Sequence, residues 1–140
     1  MRFLFSFFII FVLFSCKNNV ADTVITDQHQ QSERQITTNE PITKNIEADE
    51  AKKMLESNPD IMVLDVRTPE ETNQGILQKA IIIDIYDPGF NSKIDQLDKE
   101  KTYIVYCAAG GRSATACQIM TEKGFKKLYN LSGGYRAWNK

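Results

Sequence analysis

Histidine is almost missing from this chain: His29 is the only one, and it lies in a polar N-terminal stretch away from every patterned segment. A Cys-His dyad is thereby excluded from the patterned part, and so is a histidine-bearing zinc site, since each needs an imidazole beside the thiolate or the metal. No cysteine, second histidine or acidic cluster accompanies His29, which reads as a solvated residue. An excess of either charge is missing too. Seventeen Lys and Arg against 18 Asp and Glu leave a formal net charge of −1, which argues against a nucleic-acid surface, because such surfaces concentrate positive charge. Nor does any apolar run reach the roughly 20 residues that a bilayer-spanning helix requires; Phe3 to Phe14 offers twelve.

What is present fits one small globular domain: 140 residues, 42% hydrophobic and 25% charged, proportions that lie outside the disordered range. The chain nevertheless falls into three unlike segments. Met1-Arg2 and the apolar run suit the n- and h-regions of a secretory signal. Leu13-Phe14-Ser15-Cys16 resembles the lipobox of bacterial lipoproteins. That resemblance implies a lipoprotein signal peptide over residues 1–15, a mature chain beginning at Cys16 with a diacylglycerol on its sulfur, and an exported protein held to a membrane of the cell envelope. An ordinary cleaved signal and an uncleaved anchor are the competing readings. Residues 16–45 form the second segment. Lys17 to Asn45 is rich in Asn, Thr, Gln and Asp, has no helical or strand period, and cannot bury enough surface to offset its ordering entropy. It reads as a flexible tether with an r.m.s. span of about 30 Å.

From residue 46 to 140 short strands alternate with helices. Ala48, Ala51, Met54 and Leu55 share a helical face, and Asn58-Pro59-Asp60 stops that helix. Ile61 to Leu64 is a continuous apolar run, as in a strand covered on both faces. Thr68-Pro69-Glu70-Glu71 is a capping box with proline at the first helical position. Ala80 to Ile83 reads as another buried strand, Asp87-Pro88-Gly89 as a turn, and Ser92 to Leu97 as a short helix. Tyr103 to Tyr106 is a strand, Ser113 to Lys123 a helix with Ala116, Cys117, Ile119 and Met120 on its apolar side, and Gly124 its stop. Lys127 to Leu131 is a last strand before a terminal helix bearing Trp138. Such alternation implies an α/β fold with a mainly parallel central sheet of about five strands and helices on both faces. Ligands in these folds gather at the carboxyl ends of the strands.

Cys107 stands at one such end, followed by Ala108-Ala109-Gly110-Gly111-Arg112-Ser113 and a helix. Glycines adopt positive φ at little cost, so consecutive amides in this loop can turn inward and form a nest of N–H donors. The helix behind it adds its unpaired N–H groups and about half a positive charge. A thiol there is an anion-stabilised nucleophile: free cysteine titrates near ~8.5, and such surroundings lower that to about 3.5–7.5.

Asp65-Val66-Arg67, Glu71, Tyr106-Cys107-Ala108-Ala109-Gly110-Gly111-Arg112-Ser113, Gly124-Phe125 and Leu131-Ser132-Gly133-Gly134 with Trp138 resemble the single-domain rhodanese family over roughly Ile46 to Lys140. The resemblance implies that Cys107 is the catalytic nucleophile and becomes a persulfide. By the same token Ala108, Ala109, Gly110, Gly111, Arg112 and Ser113 bind the substrate, their amides holding the anionic persulfide and Arg112 attracting an anionic donor such as thiosulfate. Protein tyrosine phosphatases place one more residue between Cys and Arg, and the shorter loop resembles that of sulfurtransferases. Small sulfur-containing anions and thiol acceptors are then the partners, with no metal or organic cofactor. The family usually shows Gly-His-Ile and then Pro-Gly-Ala where this chain has Gly75-Ile76-Leu77-Gln78-Lys79-Ala80, a departure that bears on the turn before the third strand.

Around this centre some roles stay open. Asp65 and Arg67 either line the pocket or, with Arg67 paired to Glu71 across the capping turn, support it from behind. Cys117 either resolves an oxidised Cys107 or packs as a small apolar residue. Tyr135 and Trp138 read as packing residues. The resemblance implies a sulfurtransferase enzyme, with a persulfide carrier that does not turn over, or a protein-interaction module on the same fold, as the alternative.

Overall fold

The structure, a computed structural model, describes residues 40–140. The signal run, Cys16, His29 and the tether as far as residue 39 lie outside them. Among the described residues, five strands form one sheet in the order β1-β5-β4-β2-β3, with every pair parallel. In chain order the elements are β1 (Ile42–Ile46), α1 (Ala48–Ser57), β2 (Met62–Asp65), α2 (Pro69–Thr72), β3 (Ile81–Ile82), α3 (Phe90–Ile94), β4 (Thr102–Tyr106), α4 (Gly111–Glu122), β5 (Lys127–Leu131) and α5 (Gly134–Trp138). No helix among them is long and apolar enough to cross a membrane.

Strand β4 is the middle of the sheet, and its sequence shows why. Tyr103 and Val105 point to one face, where they pack with Phe90 and Ile94 of α3 and Ala116, Cys117 and Met120 of α4. Ile104 and Tyr106 point to the other, with Ala51 of α1 and, from α5, Tyr135 and Trp138. Because side chains alternate across a strand, burial on both faces demands a continuous apolar run. The two helix layers follow from the same requirement. At β4 the strand order reverses, since β5 lies on one side and β2 on the other. Such a switch point leaves a crevice beyond the strand ends, and Cys107 is the first residue past the end of β4.

Away from the loop after β4, three stretches differ from the sequence expectation. Ile42 to Asn45, read as the end of the tether, belong to β1, which pairs with β5 from Ile42 opposite Lys127 to Ile46 opposite Leu131. Only Ile46 of this edge strand is buried; backbone pairing holds the rest, so no hydrophobic pattern announces it. Ala80 to Ile83, read as a buried strand, contributes just Ile81 and Ile82 to an edge, with Ile82 46% exposed. Helix α3 begins at Phe90 rather than Ser92, because Phe90 and Ile94, one turn apart, are both buried and because the Asp87 carboxylate accepts the Gly89 N–H at 2.6 Å. The Thr68 to Glu71 capping box forms as its residues dictate.

Candidate active site

The loop after β4 is held from outside so that its amides face inward. The first turn of α5 donates to it: Tyr135 N–H to the Cys107 carbonyl at 2.7 Å and Arg136 N–H to the Ala108 carbonyl at 3.2 Å. With these carbonyls drawn outward, the Gly110 N–H points back at Cys107 Sγ, 3.1 Å away. Gly110 sits at φ +97° and is the residue from which α4 starts; the left-handed conformation that ends the loop is one that a side chain resists. Gly134 at φ +57° is required for a second reason, since a Cβ there would run into the Cys107 carbonyl oxygen. Helix α4 thus begins at Gly111, earlier than the expected Ser113, and places Arg112 and Ser113 in its first turn.

Ser113 Oγ lies 3.5 Å from Sγ, 3.0 Å from the Gly110 carbonyl and 2.6 Å from Asn130 Oδ1. One hydroxyl proton has three acceptors in reach. Ionising the thiol makes Sγ a charged acceptor, which competes better for that proton. Cys107 is only 2% exposed. That burial by itself raises the thiol pKa, but hydrogen bonds from the Ser113 hydroxyl and from the amides of Ser113, Ala109 and Gly110 outweigh it and hold Cys107 below an ordinary thiol. The arrangement stabilises a sulfur anion on Cys107 and needs no imidazole to do so.

Arg112 stands at the mouth, bound fork to fork by Glu71: Nη1 donates to Oε2 at 2.7 Å and Nη2 to Oε1 at 2.6 Å. The Arg112 hydrogen bonds, working against partial burial, bring the Glu71 carboxyl down to about 2. Tyr86, 68% exposed, places its ring centroid 5.7 Å from the guanidinium carbon. The expected Arg67 to Glu71 ion pair is therefore not what forms. Arg67 instead grips Asp65, with Nη2 to Oδ2 at 2.6 Å and Nε to Oδ1 at 2.9 Å, and meets Glu71 only through its backbone carbonyl at 3.4 Å. The reason is reach: the short α2 turns the Glu71 side chain back to the Thr68 N–H at 3.2 Å, on the side facing α4.

A family model described as "Rhodanese-like domain" matches residues 47–140. The chain belongs to the rhodanese family. It is 35% identical over 95 residues, 68% of this chain and 89% of the relative, to the "Putative sulfurtransferase YtwF" of Bacillus subtilis. A protein of Allochromatium vinosum named "Sulfurtransferase" is 27% identical over 97 residues, covering 69% and 89% of the two chains. Among solved structures, the rhodanese-like domain protein from Staphylococcus aureus superposes with a TM-score of 0.62 at 32% identity, covering 68% of this chain and 90% of that one.

In this rhodanese the loop residues from Cys107 to Ser113 come together as one cradle, with Glu71 at its mouth, while Asp65 and Arg67 lie behind. Both are buried. The Arg67 guanidinium carbon lies over the Tyr135 ring at 4.0 Å, and its Nη2 donates to the Gly75 carbonyl at 2.8 Å. The pair pins the end of β2 to the turn that carries α2 and so fixes where Glu71 stands. The departure at Gly75 to Ala80 is accommodated locally: Gly75 takes φ +122°, and the Leu77 N–H donates to Tyr106 Oη at 3.0 Å. Cys117 is buried on the apolar side of α4, and desolvation pushes its thiol up to about 12, which leaves it a packing residue rather than a reactive one.

Two participants escape sequence reasoning. Asn130 on β5 links Ser113 to Asn45 on β1, its Nδ2 donating to Asn45 Oδ1 at 2.8 Å. A polar residue inside an apolar strand was its one signal, as buried polar groups need partners. Tyr86 gave none, for it sits in a loop with no pattern.

Proposed function

We propose that this rhodanese is a sulfurtransferase that carries sulfane sulfur as a persulfide on Cys107. The observation that carries the reading is the inward-facing donor set, the Gly110 N–H at 3.1 Å and the Ser113 hydroxyl at 3.5 Å from Sγ. Such a set stabilises a thiolate before transfer and the persulfide anion after it. Attack of the Cys107 thiolate on the outer sulfur of thiosulfate or a related donor forms the new S–S bond and expels the leaving group, sulfite for thiosulfate, with the electron pair of the broken bond. An acceptor thiolate or cyanide then removes the outer sulfur and restores Cys107. Ala108, Ala109, Gly110, Gly111, Arg112 and Ser113 enclose the transferred atom. The sequence similarity to proteins named sulfurtransferases supports the same chemistry.

The test is to incubate the purified protein with a sulfane donor, measure the mass of Cys107 and then follow thiocyanate formation on adding cyanide. Gain of one sulfur atom and turnover, both lost in Cys107→Ser, are expected. A sulfur that is taken up and retained without turnover makes the chain a carrier, and no uptake from any donor refutes the proposal. The setting we propose is the bacterial cell envelope, with Cys16 lipidated and the chain between it and β1 as a tether of about 30 Å r.m.s. span. The lipobox-like run before Cys16 supports it.

A further inference from the structure

Arg112 is the cation that meets whatever enters the cradle, and each terminal nitrogen of its guanidinium already donates to a carboxylate. Glu71 accepts both bonds at 2.7 and 2.6 Å, the fork-to-fork form that is strongest for this pair. Glu71 is itself held in place: its Oε2 accepts the Thr68 N–H at 3.2 Å within the capping box, and α2 is tied down by Arg67, which donates to the carbonyls of Glu71 and Gly75 while gripping Asp65. The remaining approach to Arg112 is flanked by Tyr86, an uncharged ring. The mouth therefore presents a cancelled charge, and the carboxylate stays ionised at any ordinary pH. What is left to receive negative charge is the nest of amides around Sγ.

We infer that Glu71 sets donor specificity in this site, turning it away from dianionic donors such as thiosulfate and toward persulfides of small thiols that bring little charge. The inference rests on the sulfurtransferase reading above. With thiosulfate, the S–S bond breaks and its electron pair leaves with sulfite, so that a dianion must depart past the Glu71 carboxylate and an arginine whose charge that carboxylate balances. With a persulfide R–S–SH, the Cys107 thiolate attacks the outer sulfur, the S–S bond breaks, and the pair leaves on R–S⁻. That thiolate takes the proton of the transferred sulfur and departs as neutral R–SH, leaving the Cys107 persulfide anion in the cradle. The second route develops no charge at the mouth beyond what the amides already hold.

Glu71→Gln isolates the effect, because glutamine also serves at this position of a capping box and still offers one oxygen to Arg112. On the purified full-length protein, the rates at which thiosulfate and hydroxyethyl persulfide add one sulfur atom to Cys107 are compared before and after the substitution. Removing the negative charge that is paired with Arg112 is expected to shift the ratio of the two rates toward thiosulfate by about tenfold. The shift should shrink as ionic strength rises, since the mouth is partly open to solvent. Taking the ratio on each protein cancels any loss of folded material. If both proteins load and the ratio moves less than about twofold, the inference is overturned while the sulfurtransferase reading stands. If the unaltered protein loads from neither donor, the sulfurtransferase reading falls first and takes this one with it.

Discussion

Ser113→Ala tests whether hydrogen bonds alone make Cys107 acidic. No histidine lies among the described residues, and the donors around Sγ are the Ser113 hydroxyl at 3.5 Å and the Gly110 N–H at 3.1 Å, helped by neighbouring amides. Burial works against them. A hydrogen bond to a charged acceptor is worth about 1.5–3 kcal/mol; at 3.5 Å, with the proton shared among three acceptors, about 1 kcal/mol is the fitting share. Because the thiolate is the reactive form, that loss lowers alkylation at a pH below the plateau by roughly fivefold, RT being about 0.59 kcal/mol. The assay is iodoacetamide modification of Cys107 followed by mass spectrometry across a pH series. The sign is fixed: the depressed Cys107 pKa gives the native protein its reactive plateau at lower pH than a free thiol, and Ser113→Ala moves the rise toward higher pH. Cys117, buried on α4, remains unmodified in both proteins and serves as the internal control for folding. A profile that is unchanged, or that moves to lower pH, refutes the claim that the hydroxyl stabilises the anion.

Asp65→Ala is expected to destabilise the domain by about 3–5 kcal/mol in urea unfolding, because it strands the Arg67 guanidinium in the interior; a cost below about 1 kcal/mol would show that the pair is not desolvated as the structure has it. Gly134→Ala places a side chain at φ +57° against the Cys107 carbonyl oxygen. It should lower the melting temperature and abolish sulfur loading, and a variant with native stability and loading would sink the role given to that turn. Acid should weaken the domain through Glu71, whose folded pKa of about 2 lies below its ordinary value. That contribution is present above the unfolded carboxylate pKa and lost as pH falls toward 2. It is small, since the pair is partly exposed; Glu71→Gln should flatten that part of the stability profile. Grown with labelled palmitate, the native host should label the protein and should not label Cys16→Ala, and an unlabelled native chain would end the lipid-anchor proposal.

How much of this was legible beforehand depends on how locally each feature is encoded. Thr68-Pro69-Glu70-Glu71 forms its capping box from four adjacent residues, and the Tyr103 to Tyr106 run needs only burial on both faces to be a central strand. Both were readable without any fold in mind. β1 was not, because Ile42 to Asn45 have exposed or half-buried side chains and owe their extended conformation to hydrogen bonds from β5, more than 80 residues away. The apolar run at Ala80 to Ile83 misled for the opposite reason. Its hydrophobicity signals a core strand, yet it has a sheet neighbour on one side only, and Ile82 points outward.

The site divides along the same line. Gly110, Gly111, Arg112 and Ser113 follow Cys107 directly, so the nucleophile and its amide nest can be read from one loop. Which charge Arg112 presents to a substrate cannot, because the answer is Glu71, 41 residues earlier. Sequence proximity favoured Arg67 as the partner of Glu71, four positions apart, but tertiary packing gave Arg67 a buried carboxylate two residues before it and turned Glu71 across the mouth to α4. Under the proposed function, the loop alone supplies the atom that takes the sulfur. If Glu71 sets donor preference as inferred, selectivity lies in a contact between two helices, and two chains with the same Cys-to-Ser loop would differ in donor preference wherever the residue at the Glu71 position differs in charge.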